Sequence, residues 1–575
     1  FLRKFCFRKW GLPDHQLNIK SHQPIYIEFG NGVIFRDSLI LAQRSLDKWS
    51  DDMNVAHKKA VGYWDYDKVR HQDGKFSPHE KTYIEHDTLA GVECIQATLD
   101  SLHKNIVQIP FTATGIPREQ VQRLAAANGG RDLFLKIVPP YHVQQILEMV
   151  YHGGFTHANR HYIEEIIKGE IKAYDEASAY PYAMIRYKMP MGKFTPLSQP
   201  ADIKFILSNA ETYAYIFRLI LVKPRLKHDR IQMPVLQKSK CVKLINGIED
   251  NGRLLAAQWA EIWLNEIDLS LIESQYDYDA AVCVDIHYCE KDYLPRWFTD
   301  YIYKCFVEKT TLKGGDPVLY SIAKAKLNSL YGMCCMKPVK MIIDENYQNG
   351  KFDIADGQDE ESLYKKYVEN RHSVLPYQWG VWVTSYNFRN LMEIGSHAGT
   401  WLYSDTDSCY GINWDDAAID KYNEECREAL RERGYPGVMH NGREYWLGVA
   451  EVDGEYSEFI TVGAERYACR KKKDGRLSIT VAGVPKKGFL CLGDNLRNFK
   501  AGFIFDGETT GKLQHSYYFE DDIWEDEHGN ERGDSIDLSP ASYLLDSVHD
   551  VNWEKLFEEE IMTVVYDDKL IRGIK

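Results

Sequence analysis

Residues 401–410 constrain the fold most, because an apolar and aromatic strand pattern there contains two carboxylates, Asp405 and Asp407, with one residue between them. Residues i and i+2 of an extended segment share a face. Two carboxylates on one face repel each other unless a cation lies between them, and their hard oxygens suit Mg²⁺ better than Zn²⁺. The alternative is a solvated polar turn, since Ser, Asp and Thr are common turn residues. Taken alone, the motif favours the turn.

Two further motifs carry complementary chemistry. Asp175 follows the alternating residues 171–174, so it is predicted to lie where a strand ends and a turn begins. Lys324, Asn328 and Tyr331 recur at i, i+4 and i+7, so one helix face carries a cation, an amide and an aromatic ring. Each residue alone is an ordinary surface or helix residue. Together the three motifs supply metal ligands, a cation for a triphosphate and a platform for a base, which are the parts of phosphoryl transfer.

These motifs resemble, in the same order, the polymerase motifs of family B DNA polymerases. They read Asp-x-x-Ser-x-Tyr-Pro at 175–181, Lys-x-x-x-Asn-Ser-x-Tyr-Gly at 324–332 and Tyr-x-Asp-Thr-Asp-Ser at 403–408. The resemblance covers nearly the whole chain and implies an α/β (α+β) right-hand polymerase with palm, fingers, thumb and an RNase H-like 3′–5′ exonuclease domain. Long inserts, from about 190 to 300 and from about 336 to 373, resemble the protein-primed subgroup of small tailed phages and linear plasmids.

The resemblance implies DNA synthesis with two Mg²⁺ ions, for which Mn²⁺ is an expected substitute. Asp175 and Asp407 would bridge the ions, Asp405 would support them, and the backbone carbonyl of Glu176 would complete one metal shell. Lys324 joins the three aspartates in the implied catalytic set, and Tyr180 would exclude a ribose 2′-hydroxyl. The implied nucleotide-binding residues are Tyr180, Lys309, Lys324, Asn328 and Tyr331.

Two motifs bear on DNA binding. The residues Tyr151-His152-Gly153-Gly154 resemble the Tyr-x-Gly-Gly/Ala motif that coordinates synthesis with proofreading. The primer-binding Lys-x-Tyr motif is represented by Glu465-Arg466-Tyr467, in which Glu465 would repel a primer phosphate and Arg466, in a strand, would point to the opposite face. Either the strand shifts so that Arg466 takes the role, or the primer is held less firmly. The implied DNA contacts are Tyr151, Gly153, Gly154, Arg466 and Tyr467.

The chain divides by resemblance into seven segments. They are a partial exonuclease domain at 1–120, a first palm part at 121–223, a first terminal-protein-region-like insert at 224–292, fingers at 293–335, a second insert at 336–373, a second palm part at 374–488 and a thumb with an acidic extension at 489–575. The first insert would contact a priming protein, or it is a palm elaboration without a partner. The second would support strand displacement and processivity, or it is a disordered acidic loop. Residues 254–264 show helical periodicity and predict a helix.

An exonuclease remnant is predicted before the polymerase motifs. Tyr83 and Asp87 match the third exonuclease motif, Tyr-x-x-x-Asp, at an i, i+4 spacing that places both on one helix face. No Asp-x-Glu strand and no second matching aspartate precede Tyr83, although two metals need several carboxylates. The sequence begins with Phe1 rather than Met, and we expect the missing motifs to lie upstream. The 575-residue chain is therefore predicted not to cleave 3′ ends.

Composition agrees with a large ordered protein of several domains, since 575 residues exceed one core and 44% are hydrophobic. No run of about 18 apolar residues predicts a membrane span. The 12 cysteines form no C-x-x-C pair, which favours reduced thiols in a cytoplasm, that of a bacterial host if a phage encodes the chain. The net charge is −14, but residues 520–575 hold 17 acidic and 5 basic residues, which leaves the rest nearly neutral. Residues 466–487 form a basic strip or a solvated hairpin.

The predicted function is template-directed DNA polymerisation that replicates a linear phage or plasmid genome. The expected partners are DNA template and primer, dNTPs and a terminal protein that primes synthesis, and the chain is expected to be a monomer. One rival is an oligonucleotide-primed family B polymerase, against which the insert at 336–373 argues. Another is an inactive DNA-binding relative, against which the presence of all three motif carboxylates argues.

Overall fold

The computed structural model describes residues 6–20, 23–60, 64–65, 74–199, 201–315, 317–340, 343–346, 351–354, 359–518, 524–525, 531–532 and 535–547. Within these ranges the chain forms separate sheets that are joined by helical segments. None of the described helices combines the length and apolarity that a membrane crossing requires.

The N-terminal segment contains a small sheet and one long helix. Its elements are α1 (Phe7–Trp10), β1 (His15–Lys20), β2 (Gln23–Glu28), β3 (Ile34–Arg36), α2 (Ser38–Ala42), α3 (Leu46–Asp52) and α4 (Pro78–Leu102). The strands pair in the order β1-β2-β3. Helix α4 begins with a capping box between Ser77 and Glu80 and with Pro78 in its first turn, which explains why it starts there. Three helices follow: α5 (Gly115–Ala127), α6 (Gly130–Ile137) and α7 (Tyr141–Val150).

The next segment runs from the first palm strands through the first insert. Its elements are β4 (Thr156–Ala158), β5 (Ile167–Glu176), α8 (Ala179–Arg186), β6 (Lys188–Pro190), β7 (Thr195–Pro196), α9 (Ile203–Ser208), β8 (Tyr213–Val222), β9 (Arg225–Leu226), β10 (Cys241–Ile245), β11 (Ile248–Asp250), β12 (Arg253–Ala256), β13 (Trp259–Asn265), α10 (Glu266–Gln275), β14 (Tyr276–Asp277) and β15 (Ala280–Tyr293). One sheet has the order β10-β13-β8-β15-β6, with β7 paired to β15, and another has the order β11-β12-β9-β14.

The helix predicted at 254–264 is wrong, because this range forms β12 and most of β13. Strand β13 lies between β8 and β10, and most of its residues are buried. A strand covered on both faces shows a continuous apolar run instead of alternation, and such a run cannot be separated from a buried helix by periodicity alone.

The range predicted as fingers and second insert is mainly helical. It contains α11 (Arg296–Thr311), α12 (Pro317–Cys334), β16 (Ile343–Asn346), β17 (Lys351–Ile354), α13 (Glu360–Glu369) and α14 (Gln378–Ser396). Helix α13 is anchored by Tyr364, whose ring packs with Phe134 and Val138 and whose hydroxyl donates to the carbonyl of Pro139 at 2.7 Å. The alternative of a disordered loop therefore fails for residues 360–369, while Asp356 and its neighbours at 355–358 lie outside the described residues.

The remaining elements complete a central sheet and a terminal region. They are β18 (Ala398–Asp405), β19 (Ser408–Trp414), α15 (Asp416–Arg433), β20 (Val438–His440), β21 (Arg443–Tyr445), β22 (Ala450–Gly463), β23 (Arg466–Lys471), β24 (Leu477–Val481), β25 (Ile504–Phe505), α16 (Gly507–Thr510), β26 (Leu513–Tyr518), β27 (Trp524–Glu525), β28 (Glu531–Arg532), β29 (Ser535–Pro540) and β30 (Tyr543–Leu544). The seven-stranded sheet has the order β24-β23-β22-β5-β19-β18-β4. Most of the predicted acidic extension, residues 548–575, lies outside the described chain.

The predicted motifs converge on the middle of this sheet. Strands β5 and β19 are neighbours, with Asp175 opposite Ser408, and β18 continues the sheet on the far side of β19. Helix α14 is buried along nearly all of its length and covers β18 and β19. The largest buried core extends from this helix into α8, α11, α12 and the first insert, so one apolar core supports all three motifs.

Candidate active site

Two carboxylates meet at the ends of neighbouring strands. Strand β5 ends at Glu176, directly after Asp175, and the turn between β18 and β19 contains Asp407. The backbone N–H of Glu176 donates to the carbonyl of Asp407 at 2.8 Å, which joins the strand end to the turn. The prediction that Asp405 and Asp407 share one face of one strand is wrong. Asp405 ends β18, Thr406 adopts a left-handed conformation at φ 60°, and Asp407 lies in the turn.

The electrostatics of this carboxylate pair are unfavourable without a cation. Burial raises the pKa of Asp175 to about 7, and the negative charge of Asp407 adds to the increase. Burial raises the pKa of Asp407 to about 6, with the charge of Asp405 as the next cause. The ammonium of Lys309 opposes both increases. Two partly buried carboxylates held together by the backbone are therefore the natural place for a positive ligand.

The donor set fits Mg²⁺. This ion prefers hard oxygens, commonly uses one or two carboxylates, and completes its shell with water and substrate phosphates. Among the described residues no group of three or more His, Cys, Asp and Glu side chains could hold a metal, so the candidate site is limited to the carboxylate pair and nearby carbonyls. The Glu176 side chain is buried, accepts a hydrogen bond from Asn390 Nδ2 at 3.0 Å, and leaves Oε2 without a described hydrogen-bond partner. Burial raises the pKa of Glu176 well above its usual value.

Strand β22 adds acidic residues that the sequence reasoning did not select. Glu451 lies directly opposite Asp175 in the sheet, and its negative charge and that of Asp453 contribute to the raised pKa of Asp175. The signal was present, because Glu451, Asp453 and Glu455 alternate along one strand pattern. The sequence does not show which strand pairs with this one, however, so the pattern alone did not indicate that these residues lie near Asp175.

Lys309 lies near the carboxylates, and Lys324 of the opposed helix lies near Lys309. Lys309 of α11 donates from Nζ to Ser178 Oγ at 2.9 Å, in the turn that follows Asp175. Burial lowers the pKa of Lys309, and the positive charge of Lys324 on α12 lowers it further. A pair of mutually repelling cations next to a pair of mutually repelling carboxylates can hold a metal-bound triphosphate, which offers both kinds of partner. Ser178 is the serine of the first motif, for which the sequence predicted no role of its own.

The predicted nucleotide-binding tyrosine stacks between motifs. The ring of Tyr180 on α8 lies parallel to that of Tyr331 on α12, with centroids 4.0 Å apart and planes 9° apart. The Tyr331 hydroxyl lies 3.4 Å from the hydroxyl of Tyr151. The stack and the hydroxyl contact join the first motif, the helix of the second motif and the Tyr-x-Gly-Gly segment. Replacing one of these aromatic side chains will therefore change the packing of the others.

The Gly-Gly segment packs on the turn that carries Asp407. The N–H of Thr406 donates to the carbonyl of Phe155 at 2.7 Å. A Cβ atom on Gly154 would lie 2.7 Å from Thr406 Cγ2, whereas a Cβ on Gly153 would meet nothing within 4 Å. Glycine at position 154 is therefore required by this close approach, whatever its role toward DNA.

The predicted primer-binding residues occupy a β-turn and the strand after it. Glu465 lies in the turn before β23 with φ 57°, and its N–H donates to the Tyr403 hydroxyl at 2.9 Å. Arg466 donates from Nη1 to the carbonyl of Asp546 at 3.0 Å, in the terminal region. The hydroxyls of Tyr467 and Tyr410 are 2.9 Å apart. The side chains of Arg466 and Tyr467 are thus held by contacts within the chain.

The face of α12 that carries Lys324 and Asn328 borders a cavity of about 700 Å³. Its opposite wall belongs to the N-terminal segment, where Arg44 donates from Nη2 to Ser321 Oγ at 2.8 Å and pairs with Asp52 at 2.5 Å. Exposed Lys48 also lines the cavity. The sequence gave no indication that the N-terminal segment reaches this helix, because the contact joins residues 277 positions apart.

The predicted exonuclease residues lie in the N-terminal segment. The ring of Tyr83 on α4 packs against Trp64, with centroids 5.2 Å apart, and Asp87 follows one helical turn later. Asp87 Oδ1 is buried and has no hydrogen-bond partner among the described residues. Whether these two residues take part in any cleavage stays a prediction.

The central sheet, with its paired carboxylates next to Lys309 of a helical hairpin, has the fold of a right-hand polymerase. The family described as "DNA polymerase type B, organellar and viral" matches residues 133–378. The structure is similar to that of Phi29 DNA polymerase complexed with primer-template DNA, with a TM-score of 0.66, 18% identity, and coverage of 93% of this chain and 86% of that chain. It is equally similar to the complex of Phi29 DNA polymerase with primer-template DNA and incoming nucleotide substrates, at a TM-score of 0.66 and 18% identity.

A curated relative, "Probable DNA polymerase" of Ascobolus immersus, is 23% identical over 361 residues. The match covers 53% of this chain and 26% of the relative, so the chain spans about a quarter of that protein's length. Together these matches confirm the predicted resemblance to family B DNA polymerases and the predicted α/β (α+β) right-hand fold.

Proposed function

We propose that this chain is a template-directed DNA polymerase. The primer 3′-hydroxyl attacks the α-phosphate of a dNTP in line, the new phosphodiester bond forms, and pyrophosphate leaves with the electrons of the broken bond. The observation that carries the proposal is the partly buried pair of Asp175, at a strand end, and Asp407, in the adjoining turn, with Lys309 close to both and Lys324 close to Lys309.

Each residue of the site has a defined task in this proposal. Asp175 and Asp407 hold Mg²⁺, which when bound lowers the charge repulsion between the reacting oxygens. Lys309 and Lys324 hold the triphosphate from the two fingers helices, and Ser178 orients Lys309. The Tyr180 ring, supported by its stack on Tyr331, would lie beneath the sugar of the incoming nucleotide. The fold likeness to Phi29 DNA polymerase supports DNA and dNTPs as partners.

The test is primer extension by Asp407→Ala, compared with Asp420→Ala on the exposed face of α15. We expect Asp407→Ala to lower the extension rate by roughly 10³-fold or more, because one ligand cannot hold the metal ions against their mutual repulsion. Asp420→Ala should extend primers at the parental rate, and circular dichroism should show that both variants are folded. Extension by folded Asp407→Ala at a near-parental rate would refute the site. No extension by the parent would favour the inactive DNA-binding relative.

We further propose that a protein primes synthesis, with its hydroxyl in place of the primer 3′-hydroxyl. The two inserts at 224–292 and 336–373 support this, as does the likeness to Phi29 DNA polymerase over 93% of the chain. The measurement is transfer of a labelled dNMP to the protein that is covalently attached to the 5′ end of the replicated DNA. Oligonucleotide extension without such transfer would favour the oligonucleotide-primed alternative.

A further inference from the structure

A cavity of about 340 Å³ lies beside the Tyr-x-Gly-Gly segment. Gly153 and Gly154 form one wall, and the first insert forms the other. The cavity borders the metal-binding turn, because Gly154 is in contact with Thr406 and because Thr156, another lining residue, donates from Oγ1 to Asp405 Oδ1 at 3.3 Å. A ligand in this cavity would therefore lie next to the carboxylates without touching them.

Two cations of the insert line this cavity. Lys240 donates from Nζ to the backbone carbonyls of Tyr151 and Met149, which lie at the end of α7. The guanidinium of Arg253 lies 4.3 Å above the centre of the Phe155 ring and donates from Nη1 to the carbonyl of Val235 at 3.1 Å. An ammonium has three donors and a guanidinium has five, so both side chains retain donors that these contacts do not use.

Neither cation has a carboxylate partner within ion-pair distance in the described part of the chain. Two acidic side chains also line the cavity: Glu465, and Asp268, which is bonded to His152 at 3.3 Å and accepts from Ser385 Oγ at 3.2 Å. Burial lowers the pKa of Arg253 to about 10, and burial also lowers the pKa of Lys240. Loss of hydration is the largest cause of both decreases, and the negative charge of Asp268 offsets the decrease at Lys240 only in part.

We propose that this cavity binds one backbone phosphate of the DNA, held by Lys240 and Arg253 at the Gly153–Gly154 wall. This inference rests on the proposed polymerase function and adds a site to it. The planar guanidinium matches a phosphate with two parallel N–H bonds, and the ammonium supplies a point charge. A cavity of this volume accommodates a phosphate with its sugar but not a folded protein segment, which favours DNA over a priming protein.

A phosphate bound at this site fixes the position of the DNA strand. Contacts to phosphates fix the register and the orientation of a DNA strand without reading its sequence. Because the cavity is coupled to the turn of Asp405 and Asp407 through Gly154 and Thr156, a phosphate in it sets the distance between the bound strand and the metal ligands. Lys240 and Arg253 are thus positioning residues, not catalytic ones.

The experiment measures the affinity for a labelled primer-template at several salt concentrations, without divalent metal, so that catalysis plays no part. The variants are Lys240→Met and Arg253→Met, with Arg253→Lys to keep the charge and Lys204→Met on exposed α9 as the matched control. Each lost phosphate contact should make the slope of log K against log salt shallower by about 0.9. We expect this change for Lys240→Met and Arg253→Met, a smaller one for Arg253→Lys, and none for Lys204→Met.

The possible outcomes separate this site from the polymerase proposal. If the parent binds DNA and neither Met variant changes the slope, the cavity is not a phosphate site and the polymerase function stands. If the parent itself does not bind primer-template, the polymerase function fails. If the slope is unchanged and the Met variants lose only dNMP transfer to a priming protein, the cavity serves that protein and the DNA assignment is overturned. Thermal melting identifies variants that are not folded. If Arg253→Met is one of them, Arg253→Lys remains as the test of this position.

Discussion

At the scale of single residues, the contact between Gly154 and Thr406 explains how the chain places the turn that carries Asp407. Thr406 is a β-branched residue in a left-handed conformation, so its side chain cannot swing away from Gly154 at low cost. The hydrogen bond from Thr406 N–H to the Phe155 carbonyl holds the turn from the same side. The position of Asp407 therefore depends on the absence of a side chain 253 residues earlier.

We predict that Gly154→Ala lowers the rate of dNTP incorporation by roughly tenfold to a hundredfold, since a small displacement of catalytic groups can have an effect of this size. The new Cβ would lie 2.7 Å from Thr406 Cγ2 and 2.8 Å from Oγ1, so the turn must move. Single-turnover incorporation measures the rate.

The control for this prediction is Gly91→Ala in α4, where an added Cβ meets nothing within 4 Å. This change should leave incorporation unaltered. Thr406→Ser, combined with Gly154→Ala, removes the nearest methyl group and should restore part of the rate. If Gly154→Ala extends primers normally, the turn is not held by this contact.

The charges of Asp175 and Asp407 predict a pH-dependent stability. Their pKa values, about 7 and about 6, exceed the value of about 3.9 expected for Asp in an unfolded chain. Between about pH 4 and about pH 7 the folded chain binds more protons than the unfolded chain. Its stability therefore falls as the pH rises through this range. We expect the Tm of the metal-free protein to decrease over this range.

Asp407→Asn should flatten part of this pH dependence, because an amide does not titrate there. Mg²⁺ should raise the Tm of the parent at pH values above about 7, where both carboxylates are charged, and should have little effect near pH 5. An Mg²⁺ effect of equal size at both pH values, or one that Asp407→Asn retains, would show that the ion binds elsewhere.

At the scale of elements, the contact between α8 and α12 joins two predicted motifs. The parallel stack of Tyr180 on Tyr331 fixes the Tyr180 ring in one orientation. A rigid ring under the sugar discriminates against an additional hydroxyl by steric contact, whereas a mobile ring does not. The selection of deoxyribonucleotides is therefore a property of the helix pair in this proposal.

We predict that Tyr180→Ala lowers the preference for dNTPs over rNTPs, on the order of tenfold or more, because the ring beneath the 2′ position is removed. Tyr180→Phe keeps the stacked ring and should retain the preference. Competition between dNTPs and rNTPs in single-nucleotide extension measures the ratio. An unchanged ratio for Tyr180→Ala would mean that Tyr180 serves only in packing.

A further prediction at the scale of elements concerns the second insert. Strands β16 and β17 pair with each other, and β16 contacts β1 of the N-terminal segment, whereas α13 is anchored to α6 by its own core. Replacing residues 341–358 with a short linker should therefore leave α13 and the site in place. We expect extension on single-stranded templates to persist and strand displacement to be lost. Loss of both activities would assign the hairpin to the polymerase core instead.

At the scale of the whole molecule, the basic strip at 466–487 is partly neutralised within the chain. Arg470 pairs with Glu458 and Asp494, each at 2.8 Å, and Lys472 pairs with Glu170 at 2.9 Å. The strip forms the hairpin of β23 and β24, as one of the two interpretations of the sequence expected. Part of its charge is therefore neutralised within the chain, and the proposed DNA binding must rely on other cations as well.

Proofreading is also a property of the whole molecule. We predict that the 575-residue chain extends primers without removing mismatched 3′ ends, because Asp87 alone cannot hold two Mg²⁺ ions about 4 Å apart. The measurement is release of labelled mononucleotides from a 3′-mismatched primer with Mg²⁺ and without dNTP. Cleavage that Asp87→Ala abolishes would show that other ligands complete the site.

Much of the site could be predicted from sequence because its signals are local. The i, i+4, i+7 spacing placed Lys324, Asn328 and Tyr331 on one helix, and α12 spans all three. The turn after Asp175 was likewise predicted from neighbouring residues. The helix predicted at 254–264 was wrong, because burial on both faces of a strand hides the alternation of apolar and polar residues. The single strand predicted to hold Asp405 and Asp407 was wrong, because no sequence signal is strong enough to reveal the left-handed conformation of Thr406.

The sequence by itself determined the chemistry of this protein: which motifs carry carboxylates, lysines and tyrosines, in what order, and on which kinds of element. Only the tertiary structure decided which of these groups meet. Arg44 reaches Ser321, Glu451 lies opposite Asp175, and Lys240 and Arg253 border the cavity beside Gly154. The physical reason is that such contacts join distant parts of the chain, so they depend on strand order and helix packing, which short-range propensities do not specify.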